Sequence, residues 1–354
     1  MKNKEFPIVN TKIPGLSKTF LLPADRREYF LAKAGDEIRK LKEYLSQNTF
    51  MAFLLGPKNS GKGTYTKLFM EMVGSENVAH LSVGDVVRDV HYRELADEDK
   101  KRNFVEFLGR RYRGYMSIAD ILASIEGRSQ SSLLPTEVVI ALIEREIDRL
   151  GKKAIFIDGF PRNLDQVSYA IYFRSLMGYR DDPDFFVFID VPMSIIDARI
   201  KSRVICPKCK SPRSMKVLRT KDIGYDEKTG EFYLICDNST CEPTRLVVKE
   251  GDELGIAPIR DRIELDYKVM EQLMELQGVP KIYLRNSIPV ALARENVDDY
   301  EITPSYRYER DGNAVKIIEE QWVVEDDAGV GSYSLLPEAV AVGLIKSVAR
   351  VLGL

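Results

Sequence analysis

The sequence predicts an α/β protein: an open parallel sheet flanked by helices, with two further domains inserted into it. Three observations predict this. The short apolar runs Phe50 to Leu55, Ala154 to Ile157 and Phe185 to Ile189 are continuous rather than alternating, as strands covered on both faces are. Helical periodicity separates them, with Val139, Ile143, Ile147 and Leu150 sharing one face that stops at Gly151. Two long stretches, residues 86–134 and 203–257, break the alternation of strand and helix, and insertions of that size cover the carboxyl ends of sheet strands.

Taken in order, residues 1–48 are an extension with an amphipathic helix expected from Ala24 to Ser46. The strand at Phe50 ends on Gly56, and a helix follows from Lys62 to Val73, closed by Gly74. The two later apolar runs each stop at an aspartate, Asp158 and Asp190, and a further strand spans Lys281 to Leu284. Beyond it, Tyr300 to Glu309 and Ala314 to Glu325 alternate around Asp311-Gly312-Asn313, which reads as a hairpin. Residues 49–292 thus form the main body, and residues 293–354 a C-terminal hairpin insert and final helix.

The totals exclude several function classes. With 52 basic against 54 acidic side chains, the net charge of -2 provides no global field for nucleic acid or an anionic membrane. No run approaches the ~20 apolar residues that span a bilayer, and no basic-then-apolar leader opens the sequence, so a soluble cytoplasmic protein is expected. There, the two tight pairs Cys206/Cys209 and Cys236/Cys241 suit metal ligation better than disulfides.

The first motif that carries chemistry is Gly56-Pro57-Lys58-Asn59-Ser60-Gly61-Lys62-Gly63-Thr64, set between a strand and a helix. Small residues let backbone N–H groups turn inward round a phosphate, the helix N-terminus adds positive potential, and Lys62 brings a mobile ammonium. This is a phosphate-binding loop, or P-loop. Generic P-loops place Ser or Thr directly after the lysine, whereas here Gly63 intervenes before Thr64.

Gly-Lys-Gly-Thr resembles the adenylate kinase family, and further motifs follow in that family's order: Leu81 to Arg88, Leu133 to Glu137, Asp158-Gly159-Phe160-Pro161-Arg162 with Gln166, Arg199 to Arg203, and Arg260-Asp261-Arg262. The match runs from about residue 50 to residue 292. The resemblance implies a P-loop nucleoside monophosphate (NMP) kinase that moves the γ-phosphoryl group of ATP to AMP. Residues 86–134 would be its NMP-binding insert and residues 203–257 a zinc-ribbon lid.

It also implies roles. Lys62, Arg88, Arg162, Arg203, Arg262 and Asp158 would be catalytic, with Asp158 ordering Mg²⁺ through water. Asn59, Ser60, Gly61, Lys62, Gly63, Thr64, Arg199 and Ile288 would bind ATP, Arg199 stacking on the base. Val83, Arg88, Leu134, Gly159, Arg162 and Gln166 would hold the monophosphate. Inline transfer between two anions is catalysed by charge placement, and guanidinium groups grip phosphate oxygens bidentately without losing their charge. Cys206, Cys209, Cys236 and Cys241 would close a structural Zn²⁺ site, because four thiolates leave no open position.

Val83, where adenylate kinases often carry threonine, and Asn163, reminiscent of uridylate/cytidylate kinases, keep a pyrimidine monophosphate kinase as an alternative. A non-catalytic nucleotide-sensing zinc-ribbon scaffold is the alternative from another class. Lys249 is the nearest candidate for an arginine expected on the lid's exit side, and His80 and His91 are expected outside both sites as packing or surface residues. No protein partner is indicated.

Overall fold

Strands β1 (Met51–Leu55), β2 (Val78–Ser82), β3 (Ala154–Asp158) and β4 (Asp184–Asp190) are the apolar runs together with the edge strand before Ser82. The computed structural model describes residues 6–13, 23–127, 134–162, 176–241, 243–312 and 314–354. Among the described residues, the α-helices before β4 are α1 (Pro23–Leu45), α2 (Lys62–Val73), α3 (Val83–Asp89), α4 (Glu98–Arg111), α5 (Ile118–Glu126) and α6 (Thr136–Leu150). After β4 come α7 (Met193–Lys201) and a ribbon of short strands, β5 (Arg203–Ile205), β6 (Pro212–Ser214), β7 (Ile223–Asp226), β8 (Glu231–Leu234) and β9 (Val247–Val248). Helix α8 (Arg260–Glu275) returns the chain to β10 (Lys281–Arg285), which completes a five-stranded parallel sheet of order β10-β4-β1-β3-β2.

The pleat explains why these strands read as continuous apolar runs. Met51, Phe53 and Leu55 point to one face with Ile155, Ile157, Phe186 and Phe188, against α6 and α8. Ala52 and Leu54 point to the other with Phe156, Phe185, Val187 and Ile189, against α1, α2 and the C-terminal helix. Both faces are buried, so no position in β1 can be polar.

The last part of the chain adds β11 (Ser287–Pro289), α9 (Val290–Asn296), β12 (Pro304–Asp311), β13 (Ala314–Gln321), β14 (Val323–Glu325), β15 (Gly331–Ser334) and α10 (Pro337–Val351). The hairpin forms at the expected turn but with corrected ends. Its first strand begins at Pro304, because Asp299–Glu301 make a short helical turn capped by Asp298. Its second ends at Gln321, because Trp322 is buried and the following residues pair with β15 instead. Asn313 at the turn lies outside the described residues.

A buried polar network ties this insert to the N-terminal extension. The Lys33 ammonium lies 2.6 Å from Asp298 and 3.3 Å from Glu301, while Tyr29 and Thr11 donate to Glu301 at 2.5 and 2.8 Å. The carboxylates are thereby paired and hydrogen-bonded, as buried charges must be. The hairpin projects from this anchor onto the ribbon: Tyr308 Oη donates to Met215 O at 2.8 Å and Tyr306 N to Lys216 O at 2.7 Å. Among the described residues, no helix is long and apolar enough to cross a membrane.

Candidate active site

The loop after β1 is shaped by close approaches that exclude side chains. A Cβ on Gly56 would stand 2.9 Å from Ile189 O, and one on Gly61, whose φ is +98°, would meet the Tyr65 ring at 2.6 Å. Asn59 takes a left-handed φ of 67°. Lys62, the first residue of α2, curls back so that its ammonium donates to Gly56 O at 2.8 Å and Pro57 O at 3.1 Å. Gly63 and Thr64 follow in the first turn of α2, whose N-terminus carries no side-chain cap. Ser60 Oγ and Asn59 Nδ2 are buried without a hydrogen-bond partner among the described residues. Such orphans, at a helix N-terminus in a loop whose Gly56 and Gly61 admit no Cβ, fit a phosphate.

Asp158 closes β3 beside Leu54 and Ser82 in register, 3.8 Å from the Lys62 ammonium. Burial by itself would raise its carboxyl, but Lys62, His80 and Arg162 outweigh that and hold it below the ordinary carboxylate range. An ionised carboxylate at this strand end suits a hydrated Mg²⁺. His80 corrects the expectation that both histidines lie apart from the site: its Nε2 is 3.8 Å from Asp158 Oδ2. The residue precedes Ser82 by two on β2, so the pleat turns it to the same face as the strand end. His91 does lie elsewhere, bonded to Ile125 O at 2.9 Å.

The arginines approach from several elements. Arg203, at the start of β5, is gripped at both ends by Asp252, 2.6 Å from Nε and 2.6 Å from Nη2, and its Nη1 donates to Asn59 Oδ1 at 3.4 Å. Arg262 in α8 donates through Nε to Asp266 at 3.1 Å. Burial raises the Asp266 carboxyl, against the pull of Arg262, Lys62 and Arg162, which places those three cations round one acid. Arg162 folds over Gly159, where a Cβ would sit 3.1 Å from its guanidinium. Arg88 stands exposed on α3, paired with Asp85. Sequence reasoning missed the acids Asp252 and Asp266. Asp266 sits one helical turn after Arg262, a spacing many surface acids share, and Asp252 is 49 residues from Arg203, so nothing in the sequence joins them.

Arg199, Ile288, Val83 and Leu134 are each held by neighbouring elements. Arg199 is held in its plane: its Nη2 donates to Asn286 Oδ1 at 2.8 Å and Ser334 Oγ at 3.3 Å, and Asn286 in turn donates to Tyr65 Oη at 2.7 Å. Ile288 is fully buried, and its backbone pairs with Tyr333 of β15. Val83 and Leu134 are buried in the core beside the insert of α3 to α5. Gln166 and Asn163 lie outside the described residues.

In the ribbon, Cys206 Sγ is 3.9 Å from Cys241 Sγ and Cys209 Sγ is 3.6 Å from Cys236 Sγ, with all four sulfurs within 4.8 Å of one another. A disulfide would bring two sulfurs to ~2.05 Å. A tetrahedral zinc at ~2.3 Å from each sulfur separates them by roughly 3.8 Å, which these four fit. Contacts from Ser211 hold Cys209 down at about 6, and burial pushes Cys236 up to about 12, so these two thiols do not ionise alike.

No protein-family model matches the chain. Curated relatives do. It is 31% identical over 219 residues to the adenylate kinase of Thermotoga neapolitana, covering 81% of that protein and 61% of this chain. It is 29% identical over 219 residues to that of Thermotoga maritima, with the same coverage. With that of Mesoplasma florum it shares 30% identity over 213 residues, covering 79% of that protein and 60% of this chain. The P-loop at the end of β1, the parallel sheet that carries it and these relatives agree: the chain belongs to the adenylate kinase family of phosphotransferases.

Proposed function

We propose that the chain catalyses ATP + AMP ⇌ 2 ADP, with Lys62, Arg88, Arg162, Arg203, Arg262 and Asp158 as its catalytic groups. The observation that carries this is the gathering of Lys62, Arg262 and the pair Asp158 and Arg162 from three separate segments around the loop after β1. The relatives are adenylate kinases, which supports AMP as the acceptor.

In this reading the loop amides, Ser60 and Thr64 hold the ATP phosphates while Lys62 neutralises the charge that develops on the leaving oxygens. Arg88 and Arg162 draw the acceptor phosphate into line, and Arg203, pinned by Asp252, bridges the two sides. Asp158 would hold Mg²⁺ through water, and the ion supplies charge neutralisation to the polyphosphate. Residues 86–134 act as the monophosphate-binding insert. The ribbon, with one structural zinc on its four cysteines, acts as a lid, and closure excludes water so that hydrolysis does not compete. The cytoplasm, which keeps such thiols reduced, is the compartment this reading implies.

A coupled assay of ADP formation with ATP and a panel of AMP, CMP, UMP and GMP tests the reading. AMP is expected as the preferred acceptor. A preference for UMP or CMP would make the chain a pyrimidine monophosphate kinase, and ATP binding without turnover on any acceptor would make it a nucleotide sensor. Lys62→Ala should abolish transfer with melting temperature unchanged, and persistent turnover in that variant would remove Lys62 from the mechanism.

A further inference from the structure

The P-loop contains a second lysine, Lys58, four positions before Lys62, and the roles assigned above leave it without one. Its surroundings are unusual for a surface lysine. The other cations of the site are tied down: Lys62 to the carbonyls of Gly56 and Pro57, Arg203 to Asp252, and Arg262 to Asp266. Among the described residues the Lys58 side chain makes no hydrogen bond or ion pair, and neither does that of Lys249.

A chain of contacts links the segments that carry the two lysines. Lys249 lies in the turn that ends the ribbon, where its carbonyl accepts from Asp252 N at 3.1 Å. Asp252 grips Arg203, and Arg203 reaches Asn59, the neighbour of Lys58. Lys58 itself is open to solvent at the mouth of the site. Although the residue is exposed, the surrounding loop and ribbon take part of the water from its ammonium, and this, followed by the charges of Lys249, Arg203, Arg262 and Arg162, holds its pKa below the ordinary lysine value. An ordinary solvated lysine sits among water and carboxylates. Here cations from the loop, the ribbon and α8 face one another, and an anion with several oxygens relieves their repulsion.

We propose that Lys58 is a further catalytic residue of the phosphoryl transfer, its ammonium holding a terminal phosphoryl oxygen of the bound nucleoside triphosphate together with Lys249 from the ribbon. The proposal rests on the phosphotransferase reading above. Lys62 is anchored beneath the loop, whereas Lys58 is untethered and can follow the phosphoryl group across. In the transfer, an acceptor-phosphate oxygen bonds to the terminal phosphorus as the bond from that phosphorus to the bridging oxygen breaks, and the bridging oxygen leaves with ADP. Lys58 donates hydrogen bonds throughout and exchanges no proton.

The test compares the full-length wild type with Lys58→Met, Lys58→Gln, Lys58→Arg, Lys249→Met and the double Lys58→Met, Lys249→Met. The readouts are kcat, KM for each nucleotide, and affinity for a dinucleotide polyphosphate bisubstrate mimic across a salt series. Lys58→Met and Lys58→Gln should lower kcat by ~10–100-fold, the size of a charged hydrogen bond made in the transition state. The KM for AMP should stay within a factor of about 3, because a group acting on the transferring phosphoryl alters the transition state more than acceptor binding. Lys58→Arg should recover most of the rate, mimic binding should weaken and lose salt dependence, and the double variant should lose less than the product of the two singles. Because the side chain is exposed, melting should not change. An active wild type alongside Lys58→Met and Lys58→Gln proteins of equal kcat and equal mimic affinity would overturn the proposal and leave the family reading intact. A wild type that transfers to no monophosphate would overturn that reading instead, and mimic affinity would then decide whether Lys58 binds phosphate at all.

Discussion

The hairpin β12–β13 holds the ribbon by a small set of contacts, and cutting them should loosen the ribbon while leaving the sheet untouched. In the double variant Tyr308→Phe, Arg310→Ala, the bond from Tyr308 Oη to Met215 O is lost, worth about 1 kcal/mol net for a partly buried pair. The ion pair of Arg310 with Glu227 at 2.6 Å joins two exposed side chains and contributes ~0–1 kcal/mol. The same guanidinium lies 5.1 Å from the centroid of the Tyr225 ring, worth ~0.5–1 kcal/mol at an exposed site. Phenylalanine keeps the ring contact of residue 308 with Phe232, at 5.8 Å between centroids. The loss is therefore about 2 kcal/mol, or a factor of about 30 in local opening. Native-state hydrogen exchange reads it at the amides of Ile235, Cys236 and Leu246, which donate to Asp222, Thr244 and Leu234. These should exchange ~30-fold faster, while Ile155, bonded to Phe50 O inside the sheet, should not change. Unaltered protection in the ribbon would refute the idea that the hairpin holds it.

Two further outcomes follow from the same geometry. Metal analysis should find about one zinc per chain, and Cys236→Ser should lose it together with exchange protection across the ribbon, since so small a cluster as Val204, Leu234 and Leu246 cannot hold it alone. An active, folded and zinc-free wild type would contradict this. Asp190, at the end of β4, has its pKa pushed up to about 6 by burial, with Arg285 opposing and Asp326 and Asp327 adding to the rise. A carboxyl whose folded pKa is raised contributes its stability in full below the unfolded value near 4, and loses it as pH climbs through about 6. Asp190→Asn should therefore be more stable than wild type at pH 7, by ~1–3 kcal/mol, and the gap should close below pH 4. A pH-independent difference in denaturation midpoint would rule out Asp190 ionisation as its cause.

Legibility in the sequence depended on the range of the interaction. Phe50 to Gly74 could be read because strand, loop and helix succeed one another locally, and Gly56 and Gly61 are demanded by backbone approaches within a few residues or to the next strand. The cysteine pairs were legible because each supplies two sulfurs from one turn. Asp252 and Asp266 were not, since an acid that pins an arginine looks like any other acid until the fold brings the two together. Nor were the partners of Arg199 legible: Asn286 and Ser334 accept from its guanidinium, and Ser334 comes from an insert with no counterpart in the matched motifs.

By itself, then, the sequence determined the sheet's buried strands, the phosphate loop and the four thiols, because continuous apolar runs, glycine requirements and ligand spacing are properties of short segments. Only the tertiary structure decided that His80 stands beside Asp158, that β15 pairs with Ile288, that Arg203 reaches Asn59 in the phosphate loop and that the hairpin reaches the ribbon. Each of those joins residues from separate segments. Their meeting depends on how the layers pack, which no single stretch of residues encodes.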